Sequence, residues 1–284
     1  DGYIDVVLDR SPESAELFLR AHARRELDAA ERVRAFKLQE LQRHAMLMYT
    51  SCGWFFDDIS RIETIQILRY AARSIELAED LSGGNGIETG FLEILRGARS
   101  NEPELGDGRD IYEKFVRPAR IGKNRVAAHV AVRSLFEEPP PQAEFYSYRV
   151  DRQTHTKAAG GAARLAAGRC TLLSRVTQES SGAEYAALLC GDGRIVGGGK
   201  NWGEEAAFGE FAADITGVLE RNDAPAAQRR IEDYFGRGAV SLEDLFPDER
   251  QFVLETQLRA ATAALESCGG EAYAAAAPAA RSLM

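Results

Sequence analysis

The period of the hydrophobic pattern changes along this chain at the run Glu137-Glu-Pro-Pro-Pro141. Before that run, apolar residues recur at spacings of three and four, as on the buried face of a helix. After it, Tyr146, Tyr148 and Val150 alternate with polar residues, which is typical of a half-buried strand. Three consecutive prolines lack backbone donors and end a helix. The sequence therefore predicts an α+β, mostly α-helical fold, with a helical bundle domain over residues 1–137 and an α+β region over residues 138–284.

The helical bundle carries recognisable start and stop signals. Ser11-Pro12-Glu13-Ser14 combines a Ser cap with Pro at the first helical position and predicts a helix to about residue 23. A second helix is predicted from about residue 28 to residue 49. Its core-facing stripe consists of Leu38, Leu41, Ala45 and Met48. Ser60 and Glu63 have capping-box spacing and predict a further helix. The core-facing stripe of this further helix consists of Ile65, Leu68, Ala72 and Ile75. The glycine-rich run 83–86 ends it.

The second region is predicted to contain a small antiparallel β-meander at about 144–200, followed by further helices at about 204–267. Tyr185-Ala-Ala-Leu-Leu-Cys190 is apolar on both alternating faces, which predicts a central, covered strand. Gly191-Asp192-Gly193 is interpreted as a hairpin turn into the next strand. The later run Gly197-Gly-Gly-Lys200 lacks the spacing of a phosphate-binding loop, and Asn201 stands where such a loop needs Ser or Thr.

Composition excludes several functional classes. The formal net charge of -9 and the pI near 5.2 argue against binding to nucleic acid or to an anionic membrane surface. No apolar run approaches the ~18 residues that span a bilayer. The cysteines form no Cys-x-x-Cys pair and the four histidines form no metal motif, so we predict free thiols, a reducing cytoplasmic location and no metal or cofactor. The first residues, Asp1-Gly2-Tyr3, lack an initiator Met, which suggests a segment of a longer protein.

The segment between the second and third predicted helices contains more chemistry than a turn needs. Trp54-Phe-Phe-Asp-Asp58 follows a Cys-Gly break and precedes the carboxylate of Glu63. Gly, Asn, Asp or Ser suffices for an ordinary turn. Two acids of this group could flank a glycosidic bond, with the aromatic rings as a platform for a sugar. The alternative is structural, since Glu63 fits the capping box and Asp57 or Asp58 could cap the same helix.

This segment, Met46-Leu-Met-Tyr-Thr-Ser-Cys-Gly-Trp-Phe-Phe-Asp-Asp-Ile-Ser60, resembles a known family. It is similar to the uncharacterised domain that follows the catalytic barrel in one branch of glycoside hydrolase family 57-like proteins, which are alpha-amylase/alpha-mannosidase-like. Further similar segments are 62–64, 67–73, 110–120, 128–131, 134–136, 165–168 and 241–250. Two positions depart from the family pattern: Arg61 stands in place of Gly, and Gly193 stands in place of His.

The resemblance implies a helical bundle that closes one side of an α-glucan-binding cleft. The nucleophile and acid of that family belong to the barrel, which this chain lacks. The chain is therefore expected not to be catalytic on its own, and its expected partners are the N-terminal catalytic barrel of a parent protein and an α-glucan oligosaccharide. The candidate substrate-binding residues are Trp54, Phe55, Asp57, Asp58, Glu63 and His44.

Two other interpretations remain open. In the first, the same cluster packs against the barrel as a purely structural or interaction domain and contacts no ligand. In the second, the chain is an independent small-molecule enzyme with Cys52 as nucleophile and His44 as base. That enzyme requires the two side chains to lie within hydrogen-bond reach in a pocket.

Overall fold

The computed structural model describes residues 2–138, 140–236 and 239–267, and these form an α+β, mostly helical fold. The fold class predicted from the hydrophobic pattern is confirmed. The helices are α1 Tyr3–Leu8, α2 Pro12–His22, α3 Ala29–Leu47, α4 Ile62–Ser82, α5 Ile87–Leu95, α6 Gly108–Ile111, α7 Lys123–Ser134, α8 Glu205–Glu220, α9 Ala224–Phe235 and α10 Pro247–Ser267. A π-helical turn at Tyr112–Val116 and a 3-10 turn at Arg117–Ala119 connect α6 to the segment before α7.

The strands of the described residues form one six-stranded sheet in which neighbours along the chain are neighbours in space. The strands are β1 Gln142–Phe145, β2 Tyr148–Gly160, β3 Ala163–Ser174, β4 Ser180–Leu189, β5 Ile195–Asn201 and β6 Ala239–Ser241. This sequential order is the predicted meander, extended by β6. Residues 184–188 of β4 are buried, which confirms the covered strand predicted there.

Local signals in the sequence set several helix ends. Ser11 caps α2 by accepting the backbone N–H of Ser14 at 3.2 Å, as predicted. Asp28 caps α3 in a reciprocal capping box with Glu31. Gly83 ends α4 in the left-handed conformation with a φ of 66°, which glycine adopts without steric cost.

By packing, the chain divides into two compact units. The first contains the described residues up to Gly122 together with Glu144–Val150 and Leu172–Ser181, and the second contains the remaining described residues. Both units draw on residues from either side of position 138, and the domain boundary expected there stays a prediction.

Each unit has its own hydrophobic core. One cluster of the first unit is built from α4, α5, α6 and the turn after α6, with Leu68, Ile111 and Tyr112 buried. A second cluster joins α1, α2 and α3 around Phe36, which is 1% exposed. In the second unit, α8 and α9 pack on β3 and β4, and Ile215 and Ile231 are fully buried.

The consecutive glycines of β5 allow helices to approach both faces of this strand. A Cβ atom added to Gly198 would lie 2.4 Å from the ring of Phe235 in α9. A Cβ atom added to Gly199 would lie 2.1 Å from the carbonyl oxygen of Asn124 in α7. Because successive residues of a strand face opposite sides, α9 and α7 cover opposite faces of β5. These glycines serve packing, and Gly193 lies in the turn that precedes the strand with a φ of 85°.

Three local predictions need correction. Leu38 is 45% exposed, and the buried face of α3 instead carries Phe36 and Glu40. Tyr146 lies in a turn with a φ of 53° rather than in a strand. The capping-box-like spacing of Ser241 and Asp244 predicts a helix start at Ser241, but the backbone and hydroxyl of Ser241 both donate to Asp244 in the turn that precedes α10. The predicted end of the last helix at 268–270 lies outside the described residues.

Candidate functional site

The connection between α3 and α4, residues 48–61, carries the aromatic and acidic motif and is called the aromatic loop below. Ser51–Gly53 forms one turn of 3-10 helix at its start. The carbonyl oxygen of Ser51 accepts the backbone N–H of Trp54 at 3.1 Å and that of Phe55 at 2.9 Å. Local hydrogen bonds therefore fix the backbone where the aromatic residues begin.

The aromatic side chains of this loop face solvent. Trp54 is 73% exposed, Phe55 71% and Phe56 44%. The rings of Phe55 and Phe56 contact each other edge to face, with centroids 5.3 Å apart. Tyr49, at the start of the loop, is also exposed, as are Met46 and Ile62, which flank the loop in sequence. Exposed apolar groups grouped in this way are characteristic of an interaction surface.

The two adjacent carboxylates of the motif have different environments. Asp58 is 6% exposed and accepts hydrogen bonds from the backbone of Ser60 at 2.7 Å, the hydroxyl of Ser100 at 3.0 Å and the backbone of Asn101. Hydrogen bonds from Ser60 and the Asn101 backbone hold the pKa of Asp58 well below its usual range. Asp57 is exposed, and its backbone carbonyl accepts the side-chain amide of Asn101 at 2.7 Å. Asp58 thus attaches the loop to residues 100–101, while the side chain of Asp57 remains accessible.

Replacing Asp58 with asparagine is expected to lower the melting temperature and to expose the aromatic loop to proteases. An amide places an N–H₂ donor where the carboxylate accepts the N–H groups of Ser60 and Asn101. The matched control is Asp57→Asn, since that carboxylate is 83% exposed and lies 4.0 Å from Arg61 Nε. Calorimetry and limited proteolysis of both variants check this prediction. Equal behaviour of the two variants would contradict an anchoring role for Asp58.

The predicted capping box is wrong. α4 begins at Ile62 with Arg61 at its N-cap, and no side chain accepts a hydrogen bond there. Ser60 lies one residue too early because its N–H is bound to Asp58. Glu63 is half-buried in the first turn of α4, where a carboxylate interacts favourably with the positive end of the helix dipole.

His44 lies on α3 and lines a separate cavity of about 320 Å³ in the first unit. Its Nδ1 is 2.9 Å from the carbonyl oxygen of Glu40, and its ring contacts Tyr70 edge to face at 6.0 Å. Burial lowers the pKa of His44. Cys52 is exposed, does not line this cavity and makes no hydrogen bond to His44 within the described ranges. The structure therefore does not bring together the nucleophile and base of the hypothesised small-molecule enzyme.

The same cavity contains charged residues that the sequence interpretation did not identify. Glu40 is 1% exposed, and it accepts hydrogen bonds from Tyr3 Oη at 2.6 Å and Arg10 Nη2 at 2.7 Å. Its position four residues after the buried Phe36, on the same helix face, was the available signal. The arginines that line the cavity are Arg10, Arg43, Arg69, Arg73 and Arg120.

Of the six candidate residues, Trp54, Phe55 and Asp57 share the exposed loop. Asp58 belongs to the same loop but is buried, Glu63 follows the loop in α4, and His44 belongs to the cavity. Across residues 2–138, 140–236 and 239–267, no group of three or more His, Cys, Asp or Glu side chains is arranged to hold a metal ion. Among the helices in that part of the chain, none has the length and apolarity needed to cross a membrane.

Residues 1–246 match the model of a protein family described as Domain of unknown function (DUF3536). Neither a curated protein nor a solved structure matches the chain.

Proposed function

The chain belongs to the DUF3536 family, and we propose that it is the accessory C-terminal region of a family 57-like glycoside hydrolase, in which the aromatic loop contacts α-glucan beside the catalytic barrel. The observation that carries the proposal is the exposure of Trp54 and Phe55 on a loop that Asp58 anchors from behind. The parent's barrel supplies the nucleophile and the acid, and this chain supplies binding surface.

The chemistry of the loop suits a sugar. An aromatic ring stacks on the apolar face of a pyranose, and an exposed carboxylate such as Asp57 accepts hydrogen bonds from sugar hydroxyls. Because hydrogen bonds at both ends hold the loop in place, little conformational entropy is lost when a ligand binds. Glu63 and the buried Asp58 contribute to sugar binding indirectly, through the position of the loop.

A second candidate function is supported by the extent of the exposed apolar surface around the loop. Tyr49 is 79% exposed and Ile62 75% exposed, and both flank the rings of the loop in sequence. An apolar surface that extends beyond one sugar ring is typical of contact between proteins. In this alternative the loop packs against the barrel and contacts no glucan.

Trp54→Ala in the full-length parent protein is expected to weaken binding of a maltooligosaccharide roughly tenfold, because it removes a stacking ring worth about 1.4 kcal/mol. Isothermal titration calorimetry with maltoheptaose measures this effect. The control is Ile94→Ala, which shortens an 81% exposed apolar side chain outside the loop.

The outcomes separate the two candidates. Unchanged affinity together with a lower melting temperature in the Trp54 variant favours the structural role. If affinity, activity and melting temperature all match those of the Ile94 variant, the loop has neither function and the proposal fails.

A further inference from the structure

The cavity lined by His44 lies wholly within the first unit and has a volume of about 320 Å³. Its walls come from α3, α4, residues 116–121, Tyr148 at the start of β2 and Ser174 at the end of β3. A volume of this size is at the lower end of the range for small-molecule sites. Five guanidinium groups line it in a chain whose formal net charge is -9.

Three of these arginines are neutralised by nearby carboxylates. Arg10 pairs with Glu40 at 2.7 Å and Arg73 pairs with Glu76 at 2.5 Å. Arg120 pairs with Glu88, which does not itself line the cavity. These ion pairs give the three arginines a structural role.

Two arginines remain with a surplus of positive charge. Arg43 Nη1 lies 3.4 Å from an oxygen of Glu40, whose other oxygen already binds Arg10. Arg69 Nη2 lies 3.4 Å from the carbonyl oxygen of Phe115 and has no carboxylate partner among the described residues. Two guanidinium groups without full compensation suit a dianion.

Neutral hydrogen-bonding groups complete the lining. The hydroxyl of Tyr148, whose side chain is 8% exposed, has no hydrogen-bond partner within the described ranges. The Ser174 hydroxyl accepts the N–H of Thr177 at 3.1 Å, which leaves its own proton to donate. Because a carbonyl can only accept, His44 Nδ1 donates to Glu40, and Nε2 of the neutral ring is an acceptor. The cavity therefore offers cations and hydroxyl donors to an anion, and one acceptor to a ligand hydroxyl.

We propose that this cavity binds a small phosphate monoester that also carries a hydroxyl group. Arg43 and Arg69 bind the terminal phosphate oxygens, Tyr148 and Ser174 donate to them, and His44 accepts from the hydroxyl. The apolar part of the ligand lies against Ala72, Val116 and Ile121. The inference rests on the cavity alone and is independent of the proposed glucan contact.

The test measures binding of glycerol 3-phosphate to the protein by isothermal titration calorimetry. We expect binding to weaken roughly tenfold in Arg43→Gln and in Arg69→Gln, since each removes a charge-assisted hydrogen bond. Both side chains are partly exposed, so these variants should remain folded. The matched control is Arg96→Gln, which removes the same charge from the C-cap of α5, outside the cavity. Tyr148→Phe keeps the ring and removes only the hydroxyl, and it is also expected to weaken binding.

Comparing different ligands distinguishes a site for a phosphate ester from a general anion site. Tighter binding of glycerol 3-phosphate than of inorganic phosphate supports a site for a phosphate ester. Equal binding of inorganic phosphate, or of succinate, would overturn it in favour of a general anion site. Absence of binding at millimolar concentration, or equal affinity of the Arg43, Arg69 and Arg96 variants, would also overturn the proposal.

Discussion

Replacing Gly199 with alanine is expected to destabilise the protein by about 3 kcal/mol, the upper end of the usual cost of overpacking. The new methyl group would lie 2.1 Å from the carbonyl oxygen of Asn124 and 2.9 Å from the backbone nitrogen of Ala128. Both atoms belong to the backbone of α7, so no side-chain rotation relieves the overlap. The helix has to move away from β5, and the buried contacts between them are lost.

Urea denaturation followed by far-ultraviolet circular dichroism measures this loss. The matched control is Gly209→Ala on the exposed face of α8, where no atom lies within 4 Å of the added Cβ. Alanine there is expected to stabilise the protein by about 0.5–1 kcal/mol, because glycine loses more backbone entropy in a helix. A Gly199 variant as stable as the wild type would show that α7 does not rest on β5 as described.

The second large effect is a loss of stability in acid caused by His129. This side chain is fully buried in α7, its ring stacks on Phe246 with centroids 4.2 Å apart, and neither ring nitrogen has a hydrogen-bond partner in the described part of the chain. Burial, with a contribution from the nearby charge of Arg125, lowers the pKa of His129 to about 3.

The direction in which stability changes with pH follows from proton linkage. Well above pH 6.5 the imidazole is neutral in both folded and unfolded chains, so it causes no pH dependence there. Between pH 6.5 and pH 3 the unfolded chain binds a proton that the folded chain excludes, and stability falls as pH falls. At pH 5 the expected loss from this residue is on the order of 2 kcal/mol.

His129→Phe keeps an aromatic ring against Phe246 and removes the titrating group. The free energy of unfolding is measured by urea denaturation at pH 7.5 and pH 5 for both proteins. The wild type is expected to lose about 2 kcal/mol more than the variant between these values. An equal loss in the two proteins would mean that His129 is already protonated, or accessible to water, in the folded state.

Local sequence signals were sufficient to predict much of the secondary structure. The Ser-Pro start of α2 and the Gly83 end of α4 depend on residues close together in the chain, and both were predicted. The capping box at Ser60 failed although its local pattern was correct. The backbone N–H of Ser60 donates to Asp58. Residues 100–101, more than 40 positions later in the chain, hold Asp58 in place.

In the candidate site, too, some features follow from the local sequence and others depend on distant contacts. That residues 50–59 interrupt two helices follows from their pattern, but the opposite environments of Asp57 and Asp58 do not. Two adjacent aspartates are equivalent to any rule based on spacing, and only the hydrogen bonds that Asp58 accepts from Ser60, Ser100 and Asn101 distinguish them. The sequence does not predict the cavity lined by His44 and the five arginines, because the residues that line it come from distant parts of the first unit.

The sequence by itself determined the class of fold, the order of its elements and the presence of an unusual aromatic and acidic loop, since these depend on periodicity and on neighbours along the chain. Only the tertiary structure decided which side chains are buried. Glu40 is buried and Leu38 exposed because Arg10 and Tyr3, which lie 30 and 37 residues away, supply the hydrogen bonds that a buried carboxylate needs. Whether a charge becomes part of a core, a cavity or a surface depends on such distant partners, and no local pattern encodes them.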